Sequence, residues 1–525
     1  MNVKKFIIPS LAVCIVLTLT PRLFNRTTSA QLVSNGEPYD EIDDFLKREM
    51  DRLNVPGAAL VIVEGDEIVH FRGFGEARPD GEAPSAQTPF VIGSLTKSFT
   101  ALAIMQLVEA GQVELDTPVQ HYLPWFRIAD PQASAQITVR HLLNQTSGLP
   151  QLPGMIGLAN FDNHPDEVER QVRDLSTLEI SRPVGAEFEY SNLNFNILGL
   201  IIEVTSGETY ADYIQQHIFD PLAMNHSYTS QAAAQEDNLA IGHRYWFGFP
   251  IAEHDLSLAN GSLPSGQLIA SAEDMGHHLI AHLNAGRYVD EQILSAQGID
   301  ELHRPAAEAN AMGISMGHYG MGWFVEEHGE TTILTHPGTL PDFFAFSALV
   351  PEQNKGMTLL INANHLIMDK LPFVDMGLGV ALRLAGEKPP STNWYSVVPW
   401  TLRGLLLIPV LQIVGVAFTL RRIRRWRQSP DQQPRGAKKW VLHILLPLVP
   451  NLALITLPIS LLASGLLGFM RLFMPDFTWL SLLCGGFATF WVTLRSWLVL
   501  TTLRRSQVST PELSAVQSPA HQGEL

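Results

Sequence analysis

Ser94 and Lys97 stand three residues apart near the start of an apolar-periodic run, Phe90–Glu109. If that run is a helix, the i, i+3 spacing puts both side chains on one face. A lysine held against a serine hydroxyl takes its proton once burial and neighbours lower the lysine's pKa, and a helix N-terminus favours negative charge on the oxygen. That is the chemistry of a nucleophile with its base. Two further stretches carry groups that would complete it. Tyr190-Ser191-Asn192 precedes an apolar run. A tyrosine beside a lysine ammonium has a lowered pKa and passes protons to a leaving group, and Asn192 offers an amide to hold Lys97 and a substrate. His336-Pro337-Gly338-Thr339 follows Ile333-Leu334, where a strand edge would line a cleft and Gly338 would let backbone approach a ligand. Each stretch alone has a plainer structural reading: a capping serine beside a solvated lysine, a buried tyrosine before a capped helix, a simple turn. His278 and His282, four apart, have metal-ligand spacing, but no H-E-x-x-H arrangement and no third ligand accompanies them. They read as solvated helix histidines, and the chemistry above needs no metal and no cofactor.

The elements that must position these groups follow from periodicity. Tyr39–Leu53 reads as a helix, and Gly57–Val63 and Ile68–Phe74 as strands joined by Glu64-Gly65-Asp66. Leu95, Phe99, Leu102 and Met105 predict an amphipathic helix behind Ser94. Ile137–Leu143 leads into the polar loop Asn144–Pro150, and helices follow over Asn194–Thr205 and Tyr210–Ile218. Ser271-Ala272-Glu273-Asp274 reads as a capping box opening a helix over Met275–Asn284. Met321–Glu326, Thr332–Thr335, Phe343–Val350 and Gly356–Asn362 read as strands. Strands, a long helical middle and strands again predict an α+β domain with an inserted helical subdomain.

Charge is divided unevenly over the 525 residues. Residues 1–393 hold 22 Lys/Arg against 48 Asp/Glu, whereas 394–525 hold 13 against 4. So acidic a body argues against nucleic-acid binding. The two cysteines, Cys14 and Cys484, both lie in apolar segments, which leaves the soluble part without a disulfide or thiolate metal site and fits a bacterial envelope protein. Lys4-Lys5 and the apolar Phe6–Thr20 predict a signal peptide over residues 1–30, with an uncleaved anchor as the alternative. A linker is expected over 386–396 and a disordered cytoplasmic tail over 504–525. Between them, over 397–503, three apolar runs at Val397–Leu420, Trp440–Leu462 and Phe477–Leu503 are each long enough to span a bilayer. Arg421–Arg427 and Lys438-Lys439 fall between the first two runs, so the positive-inside rule puts that loop in the cytoplasm and the acidic body outside.

In order and rough spacing, Ser94-x-x-Lys97, Tyr190-x-Asn192 and His336-x-Gly338 resemble the three motifs of the serine β-lactamase and penicillin-binding-protein superfamily. The branch resembled is that of class C β-lactamases, D-aminopeptidases and their esterase relatives. Gly73-Phe74-Gly75, Leu142–Leu149, Phe219–Met224 and Tyr319–Trp323 look like the same branch, and the similarity covers roughly 39–385. The resemblance implies a β-lactamase/transpeptidase-like fold, an antiparallel sheet flanked by helices with a helical subdomain, followed here by three transmembrane helices. It implies Ser94 as the acyl-accepting nucleophile, with Lys97 and Tyr190 sharing proton transfer. Asn192, His336, Gly338 and Thr339 would bind substrate, with the backbone N–H groups of Ser94 and Thr339 forming an oxyanion hole. Expected substrates are D-amino-acid peptides, peptidoglycan stems, esters or amides, with β-lactams a further candidate. The location implied is the bacterial cell membrane, with the hydrolase domain extracytoplasmic. The alternative is a penicillin-binding-like sensor that binds such ligands without turnover. One position departs from the pattern: His336 replaces the lysine of K-T-G. With an ordinary pKa of about 6.5 it would be mostly neutral at pH 7.5, offer a substrate a hydrogen bond without charge, and become charged near pH 6.

Overall fold

Apolar strands from both ends of the acidic body close into one sheet. The chain is described by a computed structural model over residues 39–508, apart from residues 80, 160–163, 165, 255–257, 259, 312–313, 390–396, 430–431 and 433–445. Gly57–Glu64 (β1) and Glu67–Gly75 (β2) form a hairpin. Ala307–Ala311 (β3), Ile314–Tyr319 (β4), Phe324–His328 (β5), Thr331–Thr339 (β6), Phe344–Val350 (β7) and Lys355–Ile361 (β8) form a meander. β1 pairs with β8, Ala58 opposite Ile361 and Glu64 opposite Lys355, so the antiparallel order is β2-β1-β8-β7-β6-β5-β4-β3. The candidate Thr339 therefore ends a strand inside the sheet, and His336 lies within that strand rather than at an edge.

Helices cover both faces, so β7 and most of β1 are buried on both sides. Asp40–Leu53 is α1. Thr96–Glu109 (α2) and Asn192–Ser206 (α3) are the long helices of the part inserted between β2 and β3. Ala272–Leu283 (α4) lies on one face of the sheet, where a Cβ on Gly276 would come 2.9 Å from Ile68 and 3.3 Å from Val61. Val374–Leu384 (α5) lies on the other, with Gly377 against Phe346 and Gly379 against Phe45 of α1.

Two elements differ from what periodicity predicts. α2 is not amphipathic: Thr96–Met105 are all buried, because α3, α4 and the segment Leu263–Gly266 pack around it. Ser94 sits one step before α2, in the 3₁₀ turn Gly93–Leu95. The capping box is half made. Ser271 Oγ accepts the Asp274 N–H, but the Asp274 carboxylate turns away to accept from the His226 N–H and Ser227 Oγ.

His278 and His282 are buried, not solvated. α4 has the sheet on one side and α2 on the other, which leaves these positions no water. His278 stacks on Phe99, ring centres 3.9 Å apart, and its Nε2 is 3.0 Å from Ser98 Oγ. His282 Nδ1 is 3.0 Å from His303 Nε2 and its ring stands edge-on to Trp323. Among the described residues no cluster of three or more His, Cys, Asp or Glu has metal-binding geometry.

Three helices beyond the sheet are long and apolar enough to cross a membrane: Val397–Gln428, Leu446–Ala463 and Pro475–Thr502. The first breaks after Gly404 and resumes as Leu407–Gln428 (α6), which keeps the Arg421–Arg427 run helical. Leu446–Ala463 is α7. A short helix that the sequence reading does not anticipate, Leu466–Phe473 (α8), separates it from Pro475–Val508 (α9). α9 thus runs past Arg504, where the tail was expected to start. Residues 1–30, most of the linker, the start of the second apolar run at Trp440 and the tail from 509 lie outside the described residues.

Burial holds His278 and His282 below the usual histidine range, His278 down to about 3. The unfolded chain, with pKa near 6.5, binds protons that the folded chain refuses. Stability is therefore full above that value and falls as pH drops through it, by up to about 1.4 kcal/mol per pH unit for each histidine. Thermal midpoints should decline between about pH 6.5 and 4.5, and His278→Leu should flatten that decline. A variant curve parallel to the parent's would contradict the assignment.

Candidate active site

Two glycines bring the Ser94 turn against the sheet. Gly93 has φ +56°, and a Cβ there would lie 2.4 Å from the Thr339 nitrogen. A Cβ on Gly338 would lie 2.0 Å from the Ile92 carbonyl oxygen. No side chain fits at either position, so the backbones of residues 92–94 and of β6 are in contact. This sets Ser94 beside Thr339.

The first turn of α2 supplies Lys97. It is fully buried, and its Nζ lies 3.0 Å from Ser94 Oγ, 2.9 Å from Asn192 Oδ1 and 2.5 Å from the Ser265 carbonyl oxygen. Burial holds its pKa well below the usual lysine range. A neutral amine has two N–H groups and one lone pair. The two carbonyl oxygens only accept, so they take the two N–H groups, and the lone pair is left facing the Ser94 hydroxyl. The ammonium fits the same three partners as a triple donor. The site therefore accommodates Lys97 both before and after it takes a proton.

Tyr190 and Asn192 arrive from the opposite side, at the entry to α3. Gln145 holds that entry. Its Oε1 accepts from the Ser191 N–H at 2.9 Å and from Asn194 Nδ2 at 2.5 Å, and its backbone carbonyl accepts from the Glu189 N–H. Ser191 stands at the N-cap position of α3, but its Oγ donates to the Pro150 carbonyl and caps no helix N–H. The Tyr190 ring centre stands 4.9 Å from Lys97 Nζ, and its hydroxyl is electrostatically coupled to Ser94. Its pKa runs opposite to expectation. Burial raises it above the usual tyrosine range, the coupling to Ser94 offsets part of this, and the Asp369 carboxylate adds to the rise. Tyr190 is thus held as a neutral phenol rather than a phenolate.

His336 is buried among aromatic rings, its ring centre 5.4 Å from Phe324 and about 6 Å from Tyr319 and Tyr190. Its Nδ1 is 2.8 Å from the Pro337 carbonyl oxygen, which only accepts, so Nδ1 carries the proton. Nε2 is then the acceptor, 3.3 Å from Tyr319 Oη. Burial, and next the charge of Lys97, lower its pKa to about 3, with the bond to Pro337 opposing. Both expectations, a donor to substrate and charging near pH 6, differ from what the structure gives: the ring N–H is used internally, and burial disfavours an imidazolium.

The structure brings Ser94, Lys97 and Asn192 into one hydrogen-bonded group, sets the Tyr190 ring beside Lys97 and lays Gly338 and Thr339 against them, with His336 behind. Three participants escape the sequence reading. The Ser265 carbonyl is a backbone group, Tyr319 was noted only within a longer resembling run, and Asp369 accepts from Thr339 Oγ1 at 2.7 Å across thirty residues. No spacing rule reaches that far.

Residues 42–371 match the Beta-lactamase family. Protein flp of Staphylococcus aureus strain MW2 is 27% identical over 457 residues, which cover 84% of this chain and 86% of that protein. An unguisins hydrolase of Aspergillus campestris is 27% identical over 345 residues, covering 63% of this chain and 62% of that one. Among solved structures, the octameric penicillin-binding protein homologue from Pyrococcus abyssi superposes with a TM-score of 0.58 at 27% identity, over 67% of this chain and 78% of that one. A class C beta-lactamase superposes at 0.55 with 20% identity, over 67% and 97%. With the sheet, its flanking helices and the matched span in agreement, the chain belongs to the Beta-lactamase family.

Proposed function

We propose that this chain is a membrane-anchored, extracytoplasmic serine hydrolase that works through an acyl-enzyme on Ser94. The observation that carries the reading is the buried Lys97 amine, aimed at Ser94 Oγ with its other bonds taken by Asn192 and Ser265. Ser94 Oγ attacks the substrate carbonyl carbon while its proton passes to Lys97. The N–H groups of Ser94 and Thr339 stabilise the oxyanion that forms. When the intermediate collapses, the carbonyl-to-leaving-group bond breaks, and the leaving group takes the proton from Lys97 by way of the Tyr190 hydroxyl. Water then attacks the acyl carbon, the bond from that carbon to Ser94 Oγ breaks, and the water's proton returns to Ser94 Oγ by the same route.

The substrate class follows from what surrounds the nucleophile. A neutral His336 supplies no positive charge for a carboxylate, and losing a charge-assisted bond costs on the order of 1–2 kcal/mol, roughly tenfold in affinity. This favours neutral esters and amides, those of carboxyl-blocked D-amino-acid peptides among them, over β-lactams and over peptides or peptidoglycan stems recognised by a free C-terminal carboxylate. The similarity to an unguisins hydrolase supports a hydrolytic reaction. The acidic body leaves nucleic acid out of account as a partner.

The bilayer is the second partner. The hairpin Gly242–Trp246 and Phe249–Glu253 meets the starts of the first and third apolar helices: Gly248 packs on Pro399, and the Phe247 N–H donates to Asp476. Arg427 meets Thr502 at their far ends. Outer ends beside the hydrolase domain and arginines at the other end fit an extracytoplasmic site with the Arg421–Lys439 loop in the cytoplasm.

Ser94→Ala should abolish turnover of short-chain esters and covalent labelling by a fluorophosphonate without loss of fold. Lys97→Met should slow labelling by about 10²–10⁴-fold. Full labelling of the alanine variant would refute the reading, and rapid labelling of the parent without turnover would favour a sensor. The ratio of kcat/KM for an anionic and a neutral substrate sharing one leaving group should stay flat from roughly pH 8 down to 5, since His336 remains neutral throughout. A severalfold rise towards pH 6 would show that it titrates there. Compartment reporters fused at Gly386 and Gln433 should score on opposite sides of the membrane, and agreement between them would refute the three-span topology.

A further inference from the structure

Asp476 opens the last apolar helix, α9, yet it is fully buried against the hydrolase domain. Its carboxylate accepts three hydrogen bonds there: from His365 Nε2 at 3.1 Å, from the Phe247 N–H at 2.9 Å and from its own neighbour's Phe477 N–H at 2.7 Å. His365 is fully buried as well. Its Nδ1 accepts the Ile367 N–H at 3.2 Å, so the ring proton sits on Nε2, aimed at Asp476. The same histidine starts the turn that carries Asp369, whose N–H donates to the His365 carbonyl at 2.9 Å. Asp369 in turn accepts from Thr339 Oγ1 at 2.7 Å. A continuous set of hydrogen bonds therefore runs from the first turn of a membrane helix to the residue whose N–H faces the proposed oxyanion. A second contact from the same segment reaches the other side of the site. Phe469, Leu472 and Phe473 of α8 pack with Met155, Leu158 and Leu366. Met155 lies on the helix Gln151–Gly157, and a Cβ on Gly154 of that helix would lie 3.2 Å from the Asn192 nitrogen.

We propose that Asp476 is a positioning residue of the hydrolase site. Through His365 and Asp369 it fixes the Thr339 end of β6 against the Ser94 turn, so the segment between the last two apolar helices is part of the site's framework rather than only an anchor. This rests on the Ser94 reading above. Its physical basis is that an oxyanion hole works only when its donors are fixed before charge develops, and small displacements there are costly.

The test uses the full chain in detergent micelles, with a short-chain ester as substrate and fluorophosphonate labelling as the measure of Ser94 competence. Asp476→Ala should lower kcat by about tenfold with KM changed less than about twofold, since the donors matter chiefly in the transition state. His365→Asn is the gentler variant. An asparagine there still caps the Ile367 N–H but does not reach Asp476, and the same loss in kcat is expected. In a Thr339→Val background, which keeps the backbone N–H but lacks the hydroxyl held by Asp369, Asp476→Ala should cost less than about twofold more. If both single variants retain the parental kcat, or if Asp476→Ala costs the same in the Thr339→Val background, the proposal is wrong. Where Asp476→Ala yields no folded protein, His365→Asn and its own pairing with Thr339→Val decide. A parent chain that neither turns over ester nor labels at Ser94 overturns both readings, whereas a labelled parent with unaffected variants overturns this one alone.

Discussion

A lysine amine without water is the constraint on which the rest of this structure depends. An ammonium taken out of water is so unfavourable that the group either gives up its proton or finds full compensation. Lys97 meets three oxygens and no solvent, which makes both protonation states accessible at modest cost. That balance suits a base that must receive a proton from a hydroxyl and release it within one cycle. It also explains why α2 has no exposed face along its first three turns. Water reaching Lys97 would solvate the ammonium and return its pKa to the ordinary range.

Keeping water out and donors in place is a task divided among distant segments. Asn192 comes from the inserted helices, Ser265 from the stretch before α4, and Thr339 from a strand inside the sheet. The close approach at Gly93 and Gly338 lets the strand backbone touch the Ser94 turn, which a side chain at either position would prevent. Gln145, itself at positive φ, ties the Tyr190 loop to the polar turn after Leu143. Each anchor is a buried polar contact, costly to break because the partner left behind would have no water to turn to. The same logic covers the histidines. His278, His282 and His336 are polar groups in dry surroundings, and each stays neutral with its ring packed against aromatics.

The apolar helices enter this arrangement on polar terms. At the start of a long apolar helix, Asp476 would be unfavourable facing lipid, and it is satisfied instead by His365 and two backbone N–H groups of the chain. The hairpin around Phe247 and the short helix α8 add backbone and apolar contacts on the same side. The sheet-bearing part of the chain and the apolar helices thus share buried groups.

Much of this was legible in the chain itself. The spacing of Ser94 and Lys97, the Tyr190-x-Asn192 and His336-x-Gly338 pairs, the strand–helix–strand order and the three apolar runs are local patterns, and local patterns survive without coordinates because periodicity and turn chemistry act over a few residues. Electrostatics and burial do not survive that way. That Tyr190 is held neutral, that His336 uses its only donor internally, and that His278 and His282 lie in a dry layer between α2 and the sheet all depend on which segments close over them. The sequence does not state those distances. The Ser265 carbonyl, Asp369 and Asp476 were invisible for the same reason: a backbone oxygen has no residue signature, and a carboxylate gains its role only from the buried hydrogen bond it finds. By itself, then, the sequence determined which groups were available for chemistry and which elements carried them. Tertiary structure decided their protonation and their partners, because desolvation is a property of the packed whole and not of any stretch of chain.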